Sequence, residues 1–130
     1  DRADLRGLVR HLRRGETIWY APDQDYGRKH SVYAPFFGVP AATITATARI
    51  ARLSGSPVIP MAYYRLPKGR YRLVFQPPLE NFPSGDDLED AVRVNHIVEQ
   101  SVRHAPGQYL WVHRRFKHQP DSNNPYPQKA

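Results

Sequence analysis

Cysteine is absent from the 130 residues. That excludes a disulfide frame, a thiol nucleophile and any cysteine metal site, and it fits a reducing compartment. No apolar run is long enough to span a bilayer, and the first residues do not read as a signal peptide. There is no Gly-x-Ser-x-Gly elbow and no phosphate-binding glycine loop. Acid is missing from the middle of the chain, where no Asp or Glu lies between Tyr26 and Leu79. No internal repeat is visible. The first residue is Asp1, not Met, and helix-like sequence begins at once, so the chain reads as a piece of a larger protein. Its length suits one compact core and not two independent domains.

What is present is positive charge. The formal net charge is +7. Arg28, Lys29, Arg49, Arg52, Arg65, Lys68, Arg70 and Arg72 all fall in the acid-free span, and Arg114, Arg115 and Lys117 form a second cluster. Such a field favours an anionic partner: nucleic acid, an acidic membrane, a phosphorylated substrate or an acidic carrier protein. An ordinary solvated basic surface has the same composition.

Leu5, Leu8, Val9 and Leu12 predict a helix over Asp1 to Arg14, with Gly15 as its stop. Thr17 to Ala21 is β-branched and aromatic and reads as a buried strand. Asp23 to Lys29 is a loop, and Ser31 to Phe37 a short strand or extended loop. Gly38-Val-Pro40 is expected to open a second helix over Ala41 to Ser54, ended by Gly55. Its small residues would let it approach a sheet closely. Pro57 to Leu66 and Tyr71 to Gln76 read as strands joined by a Pro67-Lys-Gly69 turn, with Tyr71, Leu73 and Phe75 on one face. Asp86 to Ala105 is the longest expected helix, with Leu88, Ala91, Val92, Val98 and Val102 as its apolar stripe and Asp86 and Asp87 suited to its start. From Asp121 onward the composition predicts a flexible tail. The order α, β, α, β, β, α implies an α/β fold, a mixed sheet with flanking helices that is incomplete within these residues.

Two stretches carry candidate chemistry. In "IWYAPDQDYGR" an apolar run gives way to Asp23 and Asp25, then to Arg28 and Lys29. Loops beyond strand ends are the usual ligand sites of open α/β sheets. The two carboxylates could do acid–base work, bind a metal, or orient Arg and hydroxyl groups. They could equally be turn acids, one of them bonding local backbone N–H groups. In "QYLWVHRRFKHQP", Tyr109, Trp111 and Phe116 alternate with Arg114, Arg115 and Lys117. That mixture suits base stacking and phosphate contact, or a membrane interface. In the ordinary reading Leu110 and Val112 pack inside, Trp111 caps the core and the cations stay in water. The histidines make no zinc-like spacing: His113 and His118 flank cations, and His96 with Glu99 lacks a third ligand. No metal or cofactor is expected.

The runs "GETIWYAPDQDYGRKHSVYAPFFGVPAAT", "ARLSGSPVIP" and "APGQYLWVHRRFK", with Pro120 after them, together resemble the late acyltransferases of lipid A biosynthesis, the lauroyl and myristoyl transferases of Gram-negative bacteria. The resemblance runs from about Asp1 to Pro120. It implies that residues 1–120 are the C-terminal part of one glycerolipid acyltransferase-like domain and that residues 121–130 are the tail. It implies acyl transfer from acyl carrier protein to a phosphorylated, Kdo-bearing lipid A precursor at the cytoplasmic face of the bacterial inner membrane. The family's catalytic His-x-x-x-x-Asp/Glu pair would lie upstream. Here only His11 has an acid at that offset, Glu16, on a charged helix end of the wrong segment, so these residues alone are expected to be inactive. "PDQD" resembles the family's third conserved block beside the catalytic histidine. Asp23 is the better match to its acid and Asp25 the second, each as a supporting group and not a nucleophile. Arg28 and Lys29 would bind the acceptor's phosphate or carboxylates. Trp111, Arg114, Arg115 and Lys117 would serve the anionic membrane surface or the structure, Arg114 or Arg115 as a salt bridge to the long helix. A basic nucleic-acid-binding module is the alternative from another class, although no recognition element is evident and nucleic acid is not an expected partner. An acyltransferase for another glycolipid, such as mannosylated phosphatidylinositol, would share the core blocks.

Overall fold

The computed structural model describes residues 4–126. The elements run α1 (Leu5–Arg13), β1 (Ser31–Phe36), β2 (Val39–Ile44), α2 (Ala46–Ser54), β3 (Met61–Arg65), a 3-10 turn (Pro67–Gly69), β4 (Tyr71–Phe75), α3 (Asp87–His104) and a second 3-10 turn (Pro106–Gln108). The α/β class holds. In place of one mixed sheet, the described residues form two antiparallel two-stranded sheets, β1–β2 and β3–β4. The expected start of the first helix at Asp1 and the end of the expected tail lie outside the described residues.

The largest departure from the sequence reading is at Val39–Ile44, which is a strand and not the opening of a helix. Phe37 and Gly38 have φ of +50° and +79°. Two consecutive positive φ values make the two-residue turn that joins antiparallel strands, and Gly38 takes its value without a Cβ penalty. Phe36 therefore faces Val39, and Pro35 faces Pro40. Antiparallel pairs alternate between bonded and non-bonded, so facing prolines can share a pair whose missing N–H groups the ladder does not use. The small residues Ala41 and Ala42 are fully buried in this strand. They let a helix approach the sheet closely, whereas the sequence reading had put them on the helix. α2 starts only at Ala46 and ends at Gly55, whose φ of 73° closes the αL cap on Ala51.

Thr17–Ala21 is the second departure. It joins no ladder among the described residues, and Trp19 is 68% exposed. Strand propensity measures fit to a pleated, partnered surface, and no partner strand lies alongside among those residues. Tyr20 is nevertheless tied to α2 through a hydroxyl–hydroxyl bond to Thr47, and burial pushes its phenol up to about 12.

The core forms where α3 lies across β1–β2. Ala34, Phe36, Ala41 and Ala42 from the sheet meet Ala91, Val94 and Val102 from the helix. The buried stripe of α3 is rotated from the expected one: Asp90, Val94 and Asn95 are inside, while Leu88 and Val92 are 47% and 36% exposed. Asp86 caps the helix by accepting from the N–H groups of Leu88 and Glu89 at 2.7 and 2.9 Å. α1 packs on α2, and Arg13 donates to the Leu53 carbonyl at 2.7 Å. β3–β4 leans on the end of α3 through Tyr64, whose hydroxyl donates to the Ser101 carbonyl. Its other face, with Tyr63, Tyr71, Leu73 and Phe75, is open.

Candidate active site

The loop after Ala21 is held from the far end of the chain. Asp25 is buried, and its carboxylate has three donors. Oδ1 accepts from the Gly27 N–H at 2.9 Å and from the His118 ring Nδ1 at 2.8 Å, and Oδ2 accepts from the His118 N–H at 3.1 Å. The bond to Gly27, two residues on, is the local Asx-type turn. The Asp25 N–H in turn donates to His113 Nε2 at 2.9 Å, which requires that nitrogen to be unprotonated. Both histidines thus bond Asp25, His118 at its carboxylate and His113 at its backbone N–H. No group of three or more metal-ligating side chains gathers among the described residues.

Asp23 is placed differently. It is half-buried, and its Oδ2 accepts from the Tyr109 hydroxyl at 2.8 Å. Its other oxygen has no hydrogen-bond partner among the described residues. Burial, with the Asp23 charge behind it, holds the Tyr109 phenol well above its ordinary range, so it stays a donor. The Tyr109 ring packs against Phe36 and Trp111 at 6.1 and 4.9 Å between centroids.

Arg115 lies in the core, 2% exposed. Its guanidinium donates to the Ala42 carbonyl at 2.7 Å, Thr43 Oγ1 at 2.8 Å and Asn95 Oδ1 at 3.3 Å, and sits 5.2 Å from the Phe36 ring centroid. Its partner on the long helix is therefore a neutral amide, with no ion pair. Burial pulls its pKa below the ordinary arginine value, offset in part by Tyr109, Asp23 and Asp25. Its Nε is buried without a hydrogen-bond partner among the described residues. The structure thus joins β2, α3 and the C-terminal segment through one buried cation, and the same segment carries Tyr109, His113 and His118 to the loop.

The remaining candidates are dispersed. Arg28 donates to the Gln119 carbonyl and to Ser122 Oγ at 3.2 and 2.7 Å, so it is engaged by the C-terminal segment. Lys29 is exposed and makes no side-chain bond among the described residues. Trp111 is 54% exposed with its indole N–H on the Pro106 carbonyl at 2.7 Å. Leu110 and Val112, expected inside, are 64% and 85% exposed, because this stretch is a chain of turns with no strand alternation. Arg114 is exposed and lies 5.8 Å from the Tyr126 ring centroid. Lys117 is partly covered and has no charged partner among the described residues. A separate groove of about 690 Å³ between α1 and α2 has Leu5, Val9 and Leu53 among its apolar lining and Arg6, Arg10, Arg13 and Arg49 around it, and it includes neither Asp23 nor Asp25. Sequence reasoning missed Tyr109, His113 and His118 as partners of the acidic loop. The signal available was the recurrence of polar-tipped rings through "QYLWVHRRFKH", a pattern that fits stacking or a membrane interface equally well.

Comparison with known proteins is consistent across the chain. The family described as bacterial lipid A biosynthesis acyltransferase matches residues 1–118. A lipid A biosynthesis lauroyltransferase of Escherichia coli K12 is 47% identical over 124 residues, covering 93% of this chain and 40% of the relative. A palmitoleoyltransferase of the same organism is 46% identical over 121 residues, 92% of this chain and 39% of the relative. A myristoyltransferase, also from that organism, is 31% identical over 127 residues, 96% of this chain and 39% of the relative. The chain thus spans about two fifths of the length of these curated relatives. With so long a match, and with a buried network tying its separated segments together, the chain belongs to the bacterial lipid A biosynthesis acyltransferase family.

Proposed function

We propose that the protein carrying these residues moves a fatty acyl chain from an acyl carrier protein thioester to a 3-hydroxyacyl group of a phosphorylated, Kdo-bearing lipid A precursor. The observation that carries this reading is the family match along residues 1–118. The names of the relatives, a lauroyl-, a palmitoleoyl- and a myristoyltransferase of lipid A biosynthesis, support the acyl class. In this reading the described residues belong to a glycerolipid acyltransferase-like domain seated on the cytoplasmic face of the bacterial inner membrane.

A general base takes the proton of the acceptor hydroxyl, whose oxygen attacks the thioester carbonyl. The C–S bond then breaks, and the carrier thiol leaves with a proton. We assign the base to a His-x-x-x-x-Asp/Glu pair outside these residues. His11 and Glu16 have that spacing and lie 2.6 Å apart, but at 52% and 50% exposure they sit in water and share Arg14. No polar connection runs from them to the Asp23 loop among the described residues. Asp23 uses its open oxygen to orient the acceptor hydroxyl or an Arg that grips the acceptor, and Asp25 holds the loop in shape. Lys29 and Arg28 meet acceptor phosphate or carboxylate through charge-assisted bonds. Trp111, Arg114 and Lys117 face anionic headgroups, and Arg115 is structural. The scheme uses neither cofactor nor nucleic acid.

The direct test compares the 130-residue chain with the natural full-length protein, using acyl carrier protein thioester and the Kdo-bearing acceptor. The full-length protein is expected to turn over and the chain alone to remain at background. Turnover by the chain alone would put the base within these residues and overturn the assignment of roles. Failure of the full-length protein on these substrates would overturn the reaction.

A further inference from the structure

We propose that Tyr109 is a positioning residue for acyl transfer, holding the Asp23 carboxylate in the one orientation that points its free oxygen at the acceptor. The proposal rests on the acyl-transfer reading above and deepens it. Asp23 has a single hydrogen bond among the described residues, from the Tyr109 hydroxyl to Oδ2 at 2.8 Å. A half-buried carboxylate on a loop would otherwise rotate, exchanging its two oxygens. One fixed donor on one oxygen restrains that rotation and leaves Oδ1 without a hydrogen-bond partner among the described residues.

Tyr109 is itself fixed. It leaves the Pro106–Gln108 turn, packs its ring against buried Phe36 and meets Trp111 edge-on at 4.9 Å. Trp111 is pinned by its own bond to the Pro106 carbonyl at 2.7 Å. The loop that carries Asp23 is clamped by the same segment, through His113 and His118 on Asp25. Donor and acceptor are therefore both held from one rigid stretch, and the hydrogen bond between them is made 86 residues apart in sequence. Burial holds the phenol's pKa well above its ordinary range, which keeps the donor proton in place through the neutral range. A misplacement of about 1 Å in a positioning group can cost roughly a hundredfold in rate, so one hydroxyl is enough to matter.

The test is a double-mutant cycle in the natural full-length enzyme, with Asp23→Asn, Tyr109→Phe and both together, assayed with carrier thioester and lipid acceptor. Tyr109→Phe is expected to lower kcat about tenfold or more with little change in the KM of the thioester donor. In the Asp23→Asn background it is expected to do nothing further, because the two groups act as one unit. Loss in Asp23→Asn with normal turnover in Tyr109→Phe, or additive losses in the double variant, would overturn the proposal. Normal turnover in Asp23→Asn would overturn the Asp23 role on which the proposal stands, and inactive wild type would overturn the reaction itself. If Tyr109→Phe lowers the melting temperature strongly, fluorotyrosine at position 109 keeps the shape and makes the phenol more acidic. Turnover is then expected to change with the stronger donor when Asp23 is present and not in the Asp23→Asn background, at an unchanged melting temperature. Unchanged turnover in both backgrounds would mean that the residue only packs.

Discussion

At the scale of single residues, two acids two positions apart have separate tasks. Asp25 is buried with three donors and a histidine on its own N–H, whereas Asp23 has one donor and an open oxygen. Substituting an amide at Asp25 turns one acceptor oxygen into a donor facing other donors. Leaving buried polar groups mismatched costs about 1–3 kcal/mol each. Asp25→Asn is therefore expected to lower the melting temperature of the full-length protein by several degrees, with a smaller loss of turnover. Asp23→Asn is expected to lower turnover by roughly a hundredfold or more while melting stays near wild type. Thermal melts and initial rates on the same two preparations check both. Equal melting losses in the two variants would make both acids structural, and normal turnover in Asp23→Asn would return it to a turn acid.

At the scale of elements, termini are set by local chemistry and faces are set by neighbours. Asp86 satisfies two N–H groups at the start of α3, with Asp87, Glu89 and Asp90 in the first turn and Arg103 and His104 in the last, the polarity that the helix dipole favours. Gly55 ends α2 at positive φ, with no atom near where a Cβ would stand. Its replacement is penalised only through backbone strain. Asp86→Ala and Gly55→Ala are each expected to cost about 1 kcal/mol of stability. The costs are expected to add, since the caps belong to different helices with no shared hydrogen bond. Chemical denaturation of the two single variants and the double variant checks this. A Gly55→Ala variant as stable as wild type would mean that the αL cap is not held in solution.

At the scale of the whole molecule, cations from several elements supply a basic surface. Arg6, Arg10 and Arg49 line the α1–α2 groove, while Arg114 and Lys117 lie on the C-terminal segment beside half-exposed Trp111. The full-length protein is expected to bind vesicles with anionic headgroups better than neutral ones, and less well as salt rises, because exposed charges are screened over about 10 Å at 0.1 M. Random DNA satisfies the same charges, so salt dependence alone does not separate the two. Trp111→Ala combined with Arg114→Ala is expected to reduce vesicle binding more than DNA binding, since an aromatic side chain anchors at headgroup depth. Vesicle co-sedimentation and DNA titration at matched salt check it. Equal losses on both ligands would favour a general polyanion surface.

The sequence by itself determined several element ends and the family. Gly15, Gly55, Asp86 and the Pro67-Lys-Gly69 turn act within a few residues of themselves, so their effects were legible without a fold. The same holds for the Asp23–Lys29 loop and the order of the last four helices and strands, α2, β3, β4 and α3. Only the tertiary structure decided which residues pair and which face inward. The segment Val39–Ile44 became a strand because β1 lay opposite it across a positive-φ turn, and Thr17–Ala21 joined no ladder because no strand lies beside it among the described residues. The stripe of α3 rotated to bring Asn95 onto Arg115 and Thr43. Asp25 found His118 across 93 positions of chain, and Asp23 found Tyr109 across 86. Propensity and periodicity carry no information about partners that far away. A buried carboxylate or guanidinium keeps its charge only where such partners converge, and that convergence is a property of the packed molecule.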